Sequence, residues 1–150
     1  MRVHGVQSLR RHLLGTEVRY QTIASMGEAQ FFDALARELA GKRIYLSLDK
    51  DSLQRDAAVT DWEQGCLSLP GLLYGIRRLM ESCEVAGADV CGEHAPDELA
   101  GFFKRLDAKR FKRNKLSPYH ANEVNQKTNL ELLLAFTAIS TSGANRLCPA

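Results

Sequence analysis

The chain has 150 residues, 45% of them hydrophobic and 25% charged, with a formal net charge of +2. That is enough for one domain with its own core, and the charge is too small to imply a nucleic-acid partner. No apolar run reaches the roughly 20 residues of a membrane helix, and Met1-Arg2-Val3-His4-Gly5-Val6 lacks the apolar stretch of a secretory signal, so a cytoplasmic protein with no membrane partner is expected.

In chain order, residues 3–6 form a short apolar stretch, and a basic, partly apolar segment over 8–14 ends at Gly15. A second strand fits 18–24. Ser25-Met26-Gly27-Glu28 has the spacing of a capping box. Phe31, Phe32, Leu35 and Leu39 then recur at helical spacing, which predicts a helix over 28–40 stopped by Gly41. Residues 44–48 are nearly continuous in apolar character, as in a strand covered on both faces. A polar loop follows over 52–65. An amphipathic helix runs through Leu69, Leu72, Leu73, Ile76, Leu79, Met80 and Cys83, with Pro70 tolerable in its first turn. Another strand fits 85–91. Leu99, Phe102, Phe103 and Leu106 mark a helix, a basic run spans 104–115, and a last helix covers about 125–136. The basic run reads as a solvated helix face, because it lacks the interleaved aromatics of a single-strand binder. Strands alternating with helices predict an α/β fold with a mainly parallel sheet.

The chemistry concentrates at two strand ends. Asp49 and Asp51 follow one strand and Glu93 follows the other, where open α/β sheets place their ligands. Continued strand alternation would point Asp49 and Asp51 one way and Lys50 the other. Two adjacent carboxylates repel unless a proton or a cation lies between them, and oxygen donors favour Mg or Mn. The other reading is a solvated loop in which Asp51 caps the following turn. Cys66, Cys83, Cys91 and Cys148 show no zinc-type spacing with one another or with His4, His12, His94 and His120, so they read as small buried hydrophobes.

The segment Tyr45-Leu46-Ser47-Leu48-Asp49-Lys50-Asp51-Ser52-Leu53 resembles the ureohydrolase motif of a strand, Ser, a spacer and Asp-x-Asp-x-Leu. Gly65-Cys66-Leu67-Ser68 resembles the Gly-Gly-Leu-Thr that opens the next helix in arginases and agmatinases. Gly87-Ala88-Asp89-Val90-Cys91-Gly92-Glu93-His94-Ala95-Pro96 resembles that family's later strand, Val3-His4-Gly5-Val6-Gln7-Ser8 its upstream strand, and residues 125–134 its final helix. The resemblance implies a three-layer α-β-α sandwich, with residues 1–150 as the C-terminal part of one arginase-like domain, incomplete on its N-terminal side and frayed over 140–150. It implies a two-ion Mn cofactor that activates a water to attack a guanidino or related linear amidine substrate. Asp49 would bridge the two ions, Asp51 would bind one, and Glu93 would pair with the substrate's cationic group.

The sequence departs from the family in three places. The upstream Gly-Gly-Asp-His and Asp-Ala-His-x-Asp metal motifs are absent, so this chain by itself is expected to be inactive and to need a complementing N-terminal half or association with a second copy. The Asp-Pro and Thr-Gly-Thr-Pro of the substrate loop are replaced by Gln54-Arg55-Asp56 and Thr60-Asp61-Trp62-Glu63. Glu93 falls one residue later than the family's Glu, so only a bulge or a bend at Gly92 would turn it to the matching face. Two other readings stay open: a non-catalytic remnant of the fold acting as an interaction module, and a haloacid dehalogenase-type phosphotransferase with Asp49 as nucleophile and Mg as cofactor.

Overall fold

The computed structural model describes residues 9–13, 16–20, 23, 26–93 and 118–144. The stretches at 3–6, 99–106 and 104–115 lie outside the described residues, as do His4, His94 and Cys148. Strands β1 (Leu9–Leu13) and β2 (Thr16–Tyr20) pair antiparallel, from Leu9 opposite Tyr20 to Leu13 opposite Thr16. The basic segment before Gly15 is therefore a strand, and the strand expected over 18–24 begins two residues earlier and ends at Tyr20.

Helix α1 (Glu28–Glu38) starts at Gly27, whose φ of 82° suits glycine, and no side chain caps it. Glu28 is thus the first helical residue and not the third as the capping box required, Ser25 lies outside the described residues, and the Glu28 carboxylate is engaged elsewhere. It accepts from the Ser68 amide at 2.7 Å and from the Ser68 hydroxyl at 2.5 Å, tying α1 to the start of helix α2 (Leu69–Ser82). Ser68 in turn caps α2, its hydroxyl accepting from the Gly71 amide at 3.0 Å, with Pro70 in the first turn where no donor is needed.

Strand β3 (Arg43–Asp49) pairs parallel with β4 (Glu84–Cys91), α2 lying in the connection between them. The structure is thus α/β with a parallel strand pair and packed helices. A β-bulge between Ile44 and Tyr45 shifts the register, so that Ser47 lies opposite Asp89 and Asp49 opposite Cys91. β3 is not covered on both faces as its composition suggested: exposed Arg43, Tyr45, Ser47 and Asp49 alternate with half-buried Ile44, Leu46 and Leu48. Its outer face tolerates this because it carries the hydroxyls of Tyr45 and Ser47, while Leu48 packs on the core.

That core joins Phe32 of α1, Leu72 and Ile76 of α2, Leu132 of helix α3 (Pro118–Ala144), and Leu53, Ala57, Ala58 and Leu67. Four of these residues belong to the 53–67 segment, so the connection that reads as polar is a packed loop. Leu53 and Leu67 close it with a parallel bridge, and the Gly65 amide donates to the Asp51 carbonyl at 2.6 Å. No described helix is long and apolar enough to cross a membrane.

Candidate metal centre at the carboxyl end of the parallel strands

Because β3 and β4 are parallel, their carboxyl ends meet at one edge. After Asp49, β3 passes into a single 3₁₀ turn, Lys50–Ser52. Strand alternation stops at that point. Asp49 Oδ1 accepts from the Asp51 amide at 3.1 Å, and the Ser52 hydroxyl donates to the Asp49 carbonyl at 2.6 Å. The turn is therefore capped by Asp49, where the sequence suggested Asp51. Asp51 itself carries a buried carboxylate oxygen, Oδ1, with no hydrogen-bond partner. A buried acceptor left without a donor is costly, and such atoms mark places where a water, an ion or a ligand belongs.

Gly92 ends β4 at φ 84° and lies directly against this turn. A Cβ at that position would come within 2.6 Å of Asp49 Oδ1, 3.0 Å of the Lys50 nitrogen and 3.2 Å of the Asp51 nitrogen. Only a glycine lets the two strand ends approach so closely. The chain bends at Gly92, directly before Glu93, whereas the bulge in the pairing lies at Ile44 and Tyr45, at the other end of the strands.

Glu93 turns toward Lys50. That lysine is buried, 1% exposed, while the Glu93 side chain is 54% exposed. Lys50 Nζ donates to Glu93 Oε1 and, at 3.1 Å, to Asn129 Oδ1 of α3, and Asn129 Nδ2 donates to Glu93 Oε1 at 3.0 Å. The three side chains form a closed ring across residues 43 and 79 apart in sequence from Lys50. Partial burial by itself would push the Glu93 carboxyl up; the hydrogen bonds from Asn129 and Lys50, the Lys50 charge and a bond from Asn125 outweigh it and hold the group below its usual range.

Helix α3 reaches this edge through a buried face at helical spacing: Ala121, Asn125, Thr128 and Leu132. Asn125 clamps the Val59 backbone from both sides, accepting from its amide at 2.9 Å and donating to its carbonyl at 2.8 Å. Thr128 donates to the Ala57 carbonyl. The polar residues of α3 are the site-supporting groups that sequence reasoning missed. Their only signal was that Asn125, Thr128 and Leu132 lie on one stripe.

On the outer face, Ser47 donates to Asp89 Oδ2 at 3.1 Å, and the Tyr45 hydroxyl also bonds Asp89, which pushes the phenol up. Cys91 sits beside Asp49. Desolvation at the strand end, then the charges of Asp49, Asp89 and Asp51, push its thiol up against the opposing charge of Lys50. Cys66, next to buried Leu67, and Cys91, at the end of β4, are exposed thiols and not buried hydrophobes. His120 is exposed near the start of α3.

The donor set fits a hard, oxygen-loving divalent cation: two carboxylates, one with a buried unpartnered oxygen. It fits as part of a site, because among the described residues no group of three or more His, Cys, Asp or Glu side chains could hold an ion.

No family model matches the chain. A protein of Thermotoga maritima described only as uncharacterized is 42% identical over 67 residues, which is 45% of this chain and 25% of that protein. A crystal structure of a hypothetical agmatinase from Burkholderia thailandensis aligns over 57% of this chain and 27% of its own, at 25% identity and a TM-score of 0.39, below the range that identifies a shared fold. The chain spans about a quarter of the length of each of these proteins.

Proposed function

We propose that the carboxyl end of the β3–β4 pair is the carboxylate part of a ureohydrolase-type centre that hydrolyses a C–N bond of a guanidino or linear amidine substrate. Asp49 and Asp51 would hold Mn, and Glu93 would meet the substrate's cationic group. The observation that carries this reading is the unpartnered, buried Asp51 Oδ1 beside Asp49 at the end of a parallel strand. A divalent ion there would satisfy that oxygen and remove the repulsion between the two carboxylates. When bound, such an ion lowers the pKa of a water and polarises the carbon to be attacked.

This chain's own residues hold the pieces in place. The hydrogen bond from the Asp51 amide to Asp49 Oδ1 and the Gly92 contact fix the turn, and the Lys50–Asn129 pair holds Glu93 beside it. The same reading makes the strand pair and its helices part of a larger three-layer domain. Further ligands would then come from beyond the described residues, in a complementing segment or a second copy.

A non-catalytic module is the second reading. It is favoured by one observation: Lys50 already occupies Glu93 Oε1, the atom a cationic substrate would seek. The phosphotransferase reading has no comparable support, since the Oδ1 of its would-be nucleophile, Asp49, is tied to the Asp51 amide.

The three are separated by assaying the full chain, alone and together with an N-terminal segment that carries the upstream metal motifs, for urea released from arginine or agmatine with Mn, and for phosphate released from p-nitrophenyl phosphate with Mg. Urea release that disappears in Asp49→Asn supports the hydrolase. Saturable Mn binding without turnover in either assay supports the module, and phosphate release overturns both.

A further inference from the structure

Lys50, a buried lysine, stands in sequence between the two aspartates proposed to hold a cation. A buried ammonium needs an opposite charge and full hydrogen bonding, and the carboxylates that flank Lys50 in the chain are Asp49 and Asp51 themselves. Lys50 is flexible along its stem, and a freed Nζ would be drawn to those carboxylates in place of a divalent ion. In the structure this does not happen, because Glu93 Oε1 and Asn129 Oδ1 take the ammonium on the other side of the turn.

We infer that Glu93 and Asn129 form a counter-ion trap that holds the Lys50 ammonium off Asp49 and Asp51, keeping both carboxylates free for a divalent cation. The inference rests on the reading that Asp49 and Asp51 bind such a cation, and it gives Glu93 a positioning role separate from any contact with substrate. With the trap intact, the charges of Lys50 and Glu93 cancel and the two aspartates present their full negative charge. With Glu93 neutralised, the ammonium is uncompensated and opposes the incoming ion. Removing Lys50 as well returns the aspartates to their original charge.

The test is Mn affinity of the full chain, measured by calorimetric titration, for the wild type, Glu93→Gln, Lys50→Met and the double variant, with circular dichroism to check folding. The trap predicts that Glu93→Gln raises Kd about tenfold, the size expected for one unit charge acting through a partly solvated edge. It predicts that Lys50→Met binds no more weakly than the wild type and that the double variant recovers to within about threefold of it. A direct ligand role for Glu93 would leave the double variant as weak as Glu93→Gln, and a contact with substrate alone would leave Glu93→Gln unchanged; either result overturns the trap and spares the metal reading. Absence of Mn binding by the wild type overturns the metal reading and the trap together. Should Glu93→Gln fail to fold, Asn129→Leu removes the other acceptor of Nζ and is expected to show the same rise in smaller degree, while unchanged affinity there overturns the trap.

Discussion

The α1–α2 pair and the carboxyl edge of β3–β4 are held together by different means. Between α1 and α2 the contact is apolar shape: Phe32 seats against Gly75, where a Cβ would collide with its ring, and Leu72 and Ile76 surround it. Polar groups sit at the margin of that contact, with Asp33 accepting from Tyr74 at 2.8 Å and from Arg78 at 2.9 Å. At the strand edge, polar groups are the contact. Lys50, Asn125 and Thr128 are buried, and each is anchored to a partner distant in sequence. The first arrangement gains from area removed from water and tolerates small adjustments. The second is specific, because each lost partner strands another buried polar group. A site that must present unpaired carboxylates to a ligand has more use for the second.

The largest expected effect breaks the apolar side. Phe32→Ala should cost about 3–5 kcal/mol of unfolding free energy in a denaturant titration, as for other buried aromatics. Asn125→Ala should cost about 3 kcal/mol, since it strands both the amide and the carbonyl of Val59, close to the cost of a core aromatic although no apolar area is at stake. If the two regions are held independently, the costs of this pair should add to within about 0.5 kcal/mol in the double variant. Gly92→Ala should cost about 2 kcal/mol from its left-handed backbone alone. It should also weaken Mn binding, because its Cβ would press on Asp49 Oδ1 and the Asp51 amide.

The smallest effect is a pH dependence on the apolar side. The bonds from Arg78 and Tyr74 hold the Asp33 carboxyl below its usual range. A depressed carboxyl contributes stability above its unfolded pKa and loses it as the pH falls through the lower folded value. Asp33→Asn should therefore flatten the acid limb of a stability–pH curve without changing its slope near neutrality.

The contrast also explains what could be read in advance. The α2 stripe of Leu72, Ile76 and Leu79 is pure periodicity, and its helix emerges with nearly the expected ends. β3 is legible from its apolar run, and the parallel pairing that brings Asp49 and Glu93 to one edge follows from the strand–helix–strand order. β1 was not legible, because Arg10, Arg11 and His12 give no apolar alternation to read. Glu28 has the spacing of a local cap yet serves Ser68, 40 residues away, and no sequence pattern encodes that choice. The same holds at the site. Asp-Lys-Asp is visible in the sequence, but the ring of Lys50, Glu93 and Asn129 depends on the 3₁₀ turn that ends strand alternation at Asp49 and on the bend at Gly92.

The central claim is that the Asp49–Asp51 turn holds a divalent cation. It is tested most directly by titrating Mn into the full chain and following the free-ion electron paramagnetic resonance signal, for the wild type and for Asp51→Asn. Saturable loss of the free-ion signal in the wild type, largely abolished in a folded Asp51→Asn chain, is the predicted result. Equal Mn uptake by both chains would contradict it.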